Sequence, residues 1–521
     1  DRGCAGNGPS ALLLSYILHG HIPYYSRRHH DPLLCAKLGD RPNLLDLTPD
    51  LYAHFQSSLR YSTQALPINT LLDTLIRPNA DTEIDPPSCV EWRHEPQRAI
   101  SHLALGNSSC AGGQWAENPV TASSDIGTLS YAEMLSLPGY SYAEHYQVVH
   151  GKPLPHFQRP SRDEVASYYK TYPSAVGIAD SIHSSTEVGQ VSRTSEGFFI
   201  GSHNIRCKHL VLASGIFSVN IPPPALLSPL SSLNNPAKPL LVIGSGFSAA
   251  DVIISTSPHR KIIHLYHWSP DDHPSPLRGC HHQAYPEYAT IYRQMKLAAL
   301  GSSRTKLASS PMMRKKNPFF SHRDWTTTYE GMSNAEILDV KPSEHDEDAL
   351  VTFRLESGKV VERTVGGLEY VVGRRGSLSY LDPALQNEVL GQQHDFEQNG
   401  LALISGRTLR EKAELDLEVA PGVFIVGSLT GDSLVRHAFG ACAYAAGKII
   451  NGSSHGSVDG AVKKPENVAA VTPPRSPIAN GNNPKIRANG VTHQDLHLDR
   501  RKLALGSNGN VMNGSSGVDG D

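Results

Sequence analysis

The stretch from Pro239 to Ile254, PLLVIGSGFSAADVII, constrains the fold of this chain more than any other stretch. The apolar residues Leu240–Ile243 are typical of a short strand that is buried on both faces of a parallel sheet. A G-x-G-x-x-A turn comes next, and the residues after it favour a helix. Strand, glycine turn and helix in this order can bind the pyrophosphate of a dinucleotide, because the N–H groups and the dipole of the helix start attract negative charge. The alternative is a tight strand–helix turn that binds nothing.

The small residues of this turn have separate predicted roles. Gly244 permits the tight turn, Gly246 lets the backbone approach a pyrophosphate, and Ala249 lets the helix pack close to the strand. The predicted dinucleotide site consists of Gly244, Ser245, Gly246, Phe247, Ser248 and Ala249.

The chain opens with a second turn of the same kind. Gly6, Gly8 and Ala11 repeat the G-x-G-x-x-A spacing, and a helix with an apolar face follows. Two such turns in one chain predict two nucleotide cofactors that face each other, and therefore an α/β fold. A buried first strand should provide about five apolar residues before the first glycine. Residues 1–5, DRGCA, do not indicate a strand, so we predict that the first strand is truncated and that cofactor binding is weak.

Length and composition exclude several classes of protein. A chain of 521 residues is long enough for about two to four domains. Its formal net charge of −3 provides no basic surface for nucleic acid, and no apolar run reaches the roughly 18 residues that a membrane span needs. Seven scattered cysteines without a C-x-x-C motif are typical of a reducing compartment, and we expect a cytoplasmic protein. Since the chain starts at Asp1, we expect the natural N-terminus, with any targeting signal, to lie upstream.

The rest of the chain supplies further strands and helices. Predicted strands are Ile22–Tyr25, His209–Gly215, Ile262–His267, Leu368–Val372 and Gly422–Gly427, with a hairpin over Leu350–Val361. Predicted helices are Leu66–Ile76, Tyr131–Leu137 and Ala438–Ile450, and Ser161 with Glu164 predicts a capping box at the start of another. From Asn451 onward there is no aromatic residue, and Gly, Ser, Asn and Pro dominate. This composition predicts a disordered tail over residues 451–521.

Six motifs together resemble a known family. They are GNGPSA at 6–11, GGQW at 112–115, ASG at 213–215, GSGFSAAD at 244–251, YPEY at 285–288 and VGSLTGD at 426–432. Jointly they resemble the oxidative stress-induced growth inhibitor proteins, which are relatives of the flavin-dependent, NADPH-using monooxygenases, including amine N-hydroxylases. The resemblance runs from about Gly6 to Ile450. It implies two Rossmann-like dinucleotide-binding domains: an FAD-binding domain, residues 1–230 and 373–450, interrupted by an NAD(P)H-binding domain, residues 238–372.

The resemblance also implies which residues contact the cofactors. NADPH would lie on the turn from Gly244 to Ala249. The implied FAD-binding residues are Gly6, Gly8, Pro9, Ser10, Ala11, Trp115, Val188 with its neighbours Thr186 and Glu187, Ala213, Ser214, Gly215, Gly431 and Asp432. Within this set, the pyrophosphate would lie over the first glycine turn, the adenine beside Val188, and the ribityl chain beside Asp432.

Some family features are missing. The F-x-G-x-x-x-H fingerprint of the Baeyer–Villiger and flavin monooxygenases is not present. An arginine near the end of the second strand usually binds the 2′-phosphate of NADPH, but His267 and Trp268 stand at that place. Arg260, Lys261 and Arg278 are the nearby cations that could replace it.

Three functions remain in competition. The first is a flavin monooxygenase, in which NADPH reduces FAD and the reduced flavin uses O2 to oxygenate a soft nucleophile. The second is a flavin disulfide reductase, which needs a redox cysteine pair in the helix after the first glycine turn. Residues 11–34 contain no cysteine, which argues against it. The third is a non-catalytic regulatory protein that retains the flavoprotein fold.

Two local patterns leave alternatives open, and the catalytic residues and the substrate stay unknown. Asp432 follows a predicted buried strand, so it either accepts hydrogen bonds from the ribityl chain or caps a helix that starts near Ser433. His273, His281 and His282 lie near acidic residues, but adjacent histidines share no face, so a polar loop is favoured over a metal site. Four residues would line either a substrate pocket or, as we prefer, an ordinary helix surface: Tyr285, Glu287, Tyr288 and Tyr292.

Overall fold

The computed structural model describes residues 3–46, 65–78, 86–301, 319, 322–343, 347–391, 396–398 and 401–454. The chain divides into two compact units. Of the described residues, the first contains those within 3–225, Asp251–Ser255 and 369–454, and the second contains those within Leu226–Ala250 and 256–368. The first unit therefore takes its segments from both sides of the second along the chain.

A six-stranded sheet forms the centre of the first unit, in the order β21–β22–β9–β1–β4–β5. Its strands are β1 (Gly3–Ala5), β4 (Leu103–Leu105), β5 (Ile182–His183), β9 (Leu210–Leu212), β21 (Glu418–Ala420) and β22 (Val423–Ile425). All neighbours pair in parallel except β21, which pairs antiparallel with β22 at one edge. The carboxyl ends of five parallel strands therefore meet at one edge, where open α/β sheets bind ligands.

The strand at the centre of this sheet corrects a prediction. Gly3–Ala5 pairs in parallel with strands on both sides, so the expectation that residues 1–5 provide no strand is wrong. Small residues suit the position because a Cβ on Gly3 would lie 3.1 Å from Ile200 Cδ1 and 3.2 Å from Cys207 Sγ. Neighbouring side chains fill the space that large apolar residues of the strand would otherwise occupy. The predicted truncation of this strand and the predicted weakening of cofactor binding stay predictions.

Helices cover this sheet, and three of them pack tightly together. They are α1 (Pro9–Leu18), α3 (Pro67–Ile76) and α11 (Ala438–Ser454). Gly440 allows the close approach of α11 to α3, because a side chain there would overlap the carbonyl of Ile68. The other helices of the unit are α2 (Pro32–Gly39), α4 (Tyr142–His150), α5 (Arg162–Ala175), α9 (Pro383–Leu390) and α10 (Arg410–Leu415). The capping box predicted at Ser161 is confirmed at the start of α5.

Three smaller sheets complete the first unit. They are β2 (His21–Tyr25) with β3 (Val90–His94); β6 (Val191–Thr194), β7 (Gly197–Ile200) and β8 (Ile205–Cys207); and β10 (Val219–Asn220), β18 (Arg374–Ser377), β20 (Leu401–Ile404) and β19 (Phe396–Gln398). The strand predicted at Ile22–Tyr25 is confirmed, but it pairs antiparallel with β3 outside the central sheet. Short 3-10 helices span Pro96–Arg98, Gly113–Trp115, Ala132–Leu135, Ala179–Ser181, Gly201–His203, Gly427–Thr430 and Val435–His437.

The second unit is built on a four-stranded sheet in the order β13–β12–β11–β17. The strands are β11 (Leu240–Ile243), β12 (Ile262–Tyr266), β13 (Tyr329–Ser333) and β17 (Leu368–Tyr370), and β11, β12 and β13 run parallel. An antiparallel meander is formed by β14 (Glu336–Pro342), β15 (Ala349–Arg354) and β16 (Val360–Val365), which confirms the predicted hairpin. The described helices are α6 (Phe247–Ser255), of which Asp251–Ser255 group with the first unit, α7 (Pro286–Ala299) and α8 (Trp325–Thr328). Described 3-10 helices lie at Ala225–Leu230 and Pro276–Gly279.

The last helix of the chain extends further than predicted. It continues to Ser454, so residues 451–454 are helical and do not begin a disordered tail. The remainder of the predicted tail, 455–521, lies outside the described residues. Within the described part of the chain, no helix combines the length and the apolar character that crossing a bilayer requires.

Candidate functional site

The first glycine turn lies at the carboxyl end of the central strand β1. Hydrogen bonds fix it between its neighbours: Gly6 N–H donates to Leu105 O at 2.7 Å, and Ala213 N–H donates to Ala5 O at 2.8 Å. Gly6 has φ +136°, and a Cβ there would overlap the carbonyl of Ala213. At Gly8, by contrast, a Cβ would meet no atom within 4 Å. The turn therefore packs on the sheet through its first glycine and faces open space at its second, as the approach of a pyrophosphate requires.

The helix after this turn begins as predicted. Pro9 occupies its first turn, where the missing N–H costs no hydrogen bond. Ala11 is only 1% exposed and packs into the core. Ser10 lies against Gly427, at the end of β22, so closely that a side chain at Gly427 would overlap its hydroxyl.

Asn7, between the two glycines, is a residue that sequence analysis did not select. Its side chain is 3% exposed, and its Nδ2 donates to the carbonyls of Ser108 and Cys110, both at 3.2 Å. Nδ2 also lies 3.3 Å from Ser184 Oγ, and the carbonyl of Asn7 accepts from Gly112 N–H at 2.8 Å. Asn7 thus joins the turn to the segments that follow β4 and β5.

The structure brings several predicted FAD residues to this edge. The 3-10 helix Gly113–Trp115 lies against the turn, since a Cβ on Gly113 would be 3.0 Å from Gly8 Cα. Trp115 is half-buried, and its ring centre lies 6.1 Å from that of Tyr169. Ala213, Ser214 and Gly215 follow β9 directly. Gly215 has φ +71°, and a Cβ there would lie 3.2 Å from Ser428 Oγ, after β22.

Two further parts of this set have defined partners. Ser214 Oγ lies 3.0 Å from Tyr380 Oη. The predicted adenine segment follows β5: Thr186 N–H donates to Gly106 O at 2.8 Å, and the half-buried Val188 packs on the core. Both segments lie at strand ends of the central sheet. Their contacts with FAD stay predictions.

Asp432 is buried, and protein donors contact both of its carboxylate oxygens. Oδ2 accepts from Leu66 N–H at 2.8 Å and from Asn69 Nδ2 at 2.7 Å, while Oδ1 accepts from Arg410 Nη1 at 2.7 Å. The alternative that Asp432 caps a helix starting near Ser433 is wrong, because α11 starts at Ala438. Asp432 instead joins α3 and α10 to the loop that follows β22. The predicted ribityl contact would add to these bonds and stays a prediction.

A second buried carboxylate extends this network along α3. Asp73 accepts from Arg77 Nη1 at 3.1 Å and from Arg436 Nη2 at 2.5 Å. Asn69, one turn earlier on α3, binds Asp432 through Nδ2 and α11 through Oδ1, which accepts from Ala441 N–H at 2.8 Å. Gly431 packs closely here, with φ +91° and a Cβ position 3.0 Å from Arg410 Cδ. Paired charges of this kind cost stability when one partner is removed.

The second glycine turn lies at the carboxyl end of β11, as predicted. Gly244 has φ +151°, and its N–H donates to Leu265 O at 3.0 Å. A Cβ on Gly246 would come no closer than 3.9 Å to another atom, Pro276 Cγ. Ala249 is buried at the start of α6, which lets the helix pack on the sheet. The second glycine of this turn therefore also faces space that a ligand could fill.

Aromatic side chains pack beside this turn. Phe247 meets Tyr288 edge-on with ring centres 5.4 Å apart, and Tyr288 is buried. For Tyr288, the preferred hypothesis of an ordinary helix surface is therefore wrong, because the residue belongs to the core of the second unit. Tyr292 packs on Trp268, with ring centres 5.6 Å apart. Ser248 lies in the first turn of α6 and is partly exposed.

Two side chains hold the carbonyls of this turn, and sequence analysis selected neither for that role. His264 is fully buried in β12; its Nε2 lies 2.7 Å from Gly244 O, and its Nδ1 lies 2.8 Å from Tyr329 Oη. Burial lowers the pKa of His264 to about 4, against a smaller opposing effect of the Gly244 hydrogen bond. Ser275 Oγ donates to Ser245 O at 2.6 Å.

The cations proposed for a 2′-phosphate lie at opposite ends of β12. Arg260 donates to the carbonyls of Lys238 and Asn235, and Lys261 pairs with Glu330 at 2.8 Å. Both precede β12, so they lie at the edge away from the glycine turn, and they are wrong as phosphate ligands. Arg278 donates to Pro270 O at 2.6 Å, just beyond the carboxyl end of the strand.

The histidine-rich segment shows no convergent ligand set. His273, His281 and His282 are exposed, and the last two rings lie tilted to each other with centres 4.5 Å apart. In the part of the chain that the structure describes, no three His, Cys, Asp or Glu side chains are placed to hold a metal ion.

Comparison with known proteins identifies relatives. No protein-family model matches the chain. Over 487 residues it is 26% identical to oxidative stress-induced growth inhibitor 1 of Mus musculus, an alignment that covers 85% of this chain and 94% of that protein. In sequence, this chain resembles the oxidative stress-induced growth inhibitors. The predicted resemblance is thereby confirmed.

A second relative and one solved structure extend the comparison. The human oxidative stress-induced growth inhibitor 2 is 25% identical over 347 residues, which cover 56% of this chain and 67% of that protein. A flavin-containing monooxygenase from Stenotrophomonas maltophilia aligns with 87% of this chain and 98% of its own, at 14% identity and a TM-score of 0.46. The names of the growth inhibitors state no chemical reaction.

Proposed function

We propose that this chain is an FAD-dependent oxidoreductase that NADPH reduces, and that it acts as a monooxygenase in the cytoplasm. One observation carries the proposal: both G-x-G-x-x-A turns follow a parallel strand, and the second glycine of each leaves space for a ligand, since an added Cβ would come no closer than 3.9 Å to another atom. A pyrophosphate needs this combination of a close backbone approach and helix N–H groups. The FAD-binding domain would comprise residues 1–230 and 373–450, and the NADPH-binding domain residues 238–372.

The residues at the first turn fit FAD. Gly8 provides the close approach, and α1 directs its N-terminus to the same place. Trp115, Val188 and Ala213–Gly215 follow or flank neighbouring strand ends, where the rest of an extended dinucleotide would contact them. When bound, FAD would accept a hydride from NADPH and pass electrons to O2, so that one oxygen atom reaches a small-molecule substrate.

The residues at the second turn fit a nicotinamide dinucleotide. Gly246 and the N-terminus of α6 would hold its pyrophosphate. Arg278 would favour NADPH over NADH, since it is the one cation of the three considered that lies beyond the carboxyl end of β12. Asp271 and Asp272 lie in the same exposed loop, so the preference for a phosphate should be modest.

The second candidate function is a non-catalytic regulatory protein that retains the flavoprotein fold. The names of the similar proteins favour this alternative, because they refer to growth inhibition. A disulfide reductase is disfavoured, because α1 contains no cysteine to form a redox pair beside the first turn.

Flavin content and anaerobic reduction separate these functions. The purified protein should be yellow, and NADPH added without oxygen should bleach the flavin. Gly8→Val should abolish flavin binding, because the valine side chain would fill the open space at the first turn. Gly246→Val should retain flavin but lose NADPH-driven bleaching. A yellow protein that NADPH never bleaches would favour the regulatory function, and a colourless wild-type protein would exclude the flavin assignment.

A further inference from the structure

The hydrogen bonds that hold the carbonyls of the second glycine turn determine where its N–H groups point. The carbonyl of Gly244 can only accept a hydrogen bond, so the contact with His264 Nε2 needs a proton on that nitrogen. The neutral ring then accepts at Nδ1 from the hydroxyl of Tyr329. His264 is therefore fixed in one tautomer and one orientation within the core.

Ser275 fixes the next carbonyl of the turn in a similar way. Its hydroxyl donates to Ser245 O at 2.6 Å and accepts from Leu277 N–H at 3.3 Å, at the start of the 3-10 helix Pro276–Gly279. The hydroxyl thus uses its single proton on the turn. The short helix in turn holds the hydroxyl in place.

Peptide geometry converts these two contacts into a direction for the N–H groups. No cis peptide bond occurs among the described residues, and in a planar trans peptide the carbonyl and the following N–H point in opposite directions. Holding the carbonyls of Gly244 and Ser245 on the protein side therefore directs the N–H groups of Ser245 and Gly246 away from it. Those are two of the donors that a pyrophosphate at this turn would use.

We propose that His264 and Ser275 are positioning residues that aim the N–H groups of Ser245 and Gly246 at the pyrophosphate of the nicotinamide dinucleotide. The inference rests on the proposed function, since it assumes that a dinucleotide binds at this turn. Neither side chain needs to touch the ligand. Their effect is to remove alternative peptide orientations that would turn a carbonyl towards the phosphate charge.

The test is calorimetric titration of the flavin-loaded protein with NADP+, which binds without reducing the flavin. His264→Leu and Ser275→Ala should each weaken NADP+ binding by roughly tenfold to a hundredfold, as expected for a hydrogen bond to a charged group. Ser275→Thr keeps the hydroxyl and should restore most of the affinity. Flavin content should not change, because the first turn lies in the other unit.

Tyr329→Phe is the matched control for His264. It removes the other hydrogen bond of the same ring but leaves the bond to Gly244 O, so it should lower thermal stability without weakening NADP+ binding. If His264→Leu does not fold, Ser275→Ala and Ser275→Thr still decide the proposal, because Ser275 is only partly buried. Wild-type binding with unchanged affinity in the His264 or Ser275 variants would overturn this inference alone. No NADP+ binding by the wild type would overturn both the inference and the proposed nucleotide site.

Discussion

The two glycine turns share one spacing but differ in what holds them. At the first, the backbone and an amide side chain hold the turn: Gly112 N–H donates to the carbonyl of Asn7, and Asn7 Nδ2 binds two further carbonyls. At the second, the ring of His264 and the hydroxyl of Ser275 hold the carbonyls. The motif therefore determines the path of the backbone, whereas the hydrogen bonds that hold the turn come from other parts of the fold. The second set of contacts includes a titratable side chain, His264, whose pKa burial lowers from 6.5 to about 4.

The largest expected effect comes from the first glycine of the first turn. Gly6→Ala should destabilise the protein by roughly 3 kcal/mol or more, because its Cβ overlaps the Ala213 carbonyl and its φ of +136° strains any side chain. Thermal unfolding followed by circular dichroism measures the loss. Gly8→Ala is the matched control, because its Cβ enters open space, and it should keep stability while weakening flavin binding. Equal melting temperatures for Gly6→Ala and the wild type would contradict the geometry.

Substitution of Asp432 should also have a large effect, and it separates the stability of the first unit from its cofactor binding. Asp432→Asn should destabilise by roughly 2–3 kcal/mol, because the neutral amide binds Arg410 more weakly and one NH2 would oppose the donors on Leu66 or Asn69. Chemical denaturation measures this loss.

The flavin dissociation constant of the same variant tests the ribityl contact. Arg410→Gln is the control, since it weakens the ion pair but keeps the carboxylate. If Asp432 also binds the ribityl chain, Asp432→Asn should weaken flavin binding by about tenfold more than Arg410→Gln. Equal losses would show that Asp432 acts only through its protein partners.

Acid should weaken the second turn through His264. The pKa of about 4 in the folded protein lies below the ordinary value of 6.5, so at neutral pH the ring is neutral in both states. As pH falls below about 6.5 the unfolded chain binds the proton first, and stability falls until the folded ring titrates near pH 4. The loss should approach roughly 3 kcal/mol for a fully buried ring. His264→Gln should show a shallower fall of unfolding free energy across this window, and an unchanged slope would assign the acid sensitivity to other groups.

The sequence made the two turns predictable because their signals are local. Glycine spacing, an apolar strand before it and a helix after it all lie within about 15 residues. Asn7, His264 and Ser275 were missed because their roles depend on partners distant in the chain, such as Ser184 for Asn7. One signal was available for His264: a polar ring within the apolar strand IIHLY needs a hydrogen-bond partner when buried.

Two predictions made from the sequence are wrong, each for a physical reason. The composition of residues 1–5 does not reveal β1. A buried strand is expected to be rich in large apolar residues, whereas here neighbouring side chains fill the space beside Gly3. The helix cap at Asp432 was inferred from the next residues, but a 3-10 turn over Val435–His437 delays α11 to Ala438. In the first case the missing information was the distance to side chains of other elements, and in the second it was the 3-10 turn that separates Asp432 from the helix.

The smallest effect concerns the choice between NADPH and NADH. Arg278 is exposed beyond the carboxyl end of β12, so its attraction to a 2′-phosphate is screened by water and opposed by Asp271 and Asp272. An exposed pair contributes roughly 1 kcal/mol or less, so Arg278→Ala should lower the ratio of kcat/KM for NADPH to that for NADH by about threefold to fivefold.

Lys261→Ala is the control for this preference. It removes a cation from the other end of the same strand and breaks an ion pair with Glu330, but it should leave the ratio unchanged. A ratio that responds equally to both variants would mean that net charge alone sets the preference. If neither variant changes the ratio, the preference would depend on contacts at His267 and Trp268. These residues stand where such sites usually have an arginine. The comparison thus tests whether position along β12 decides which cation acts on the nucleotide.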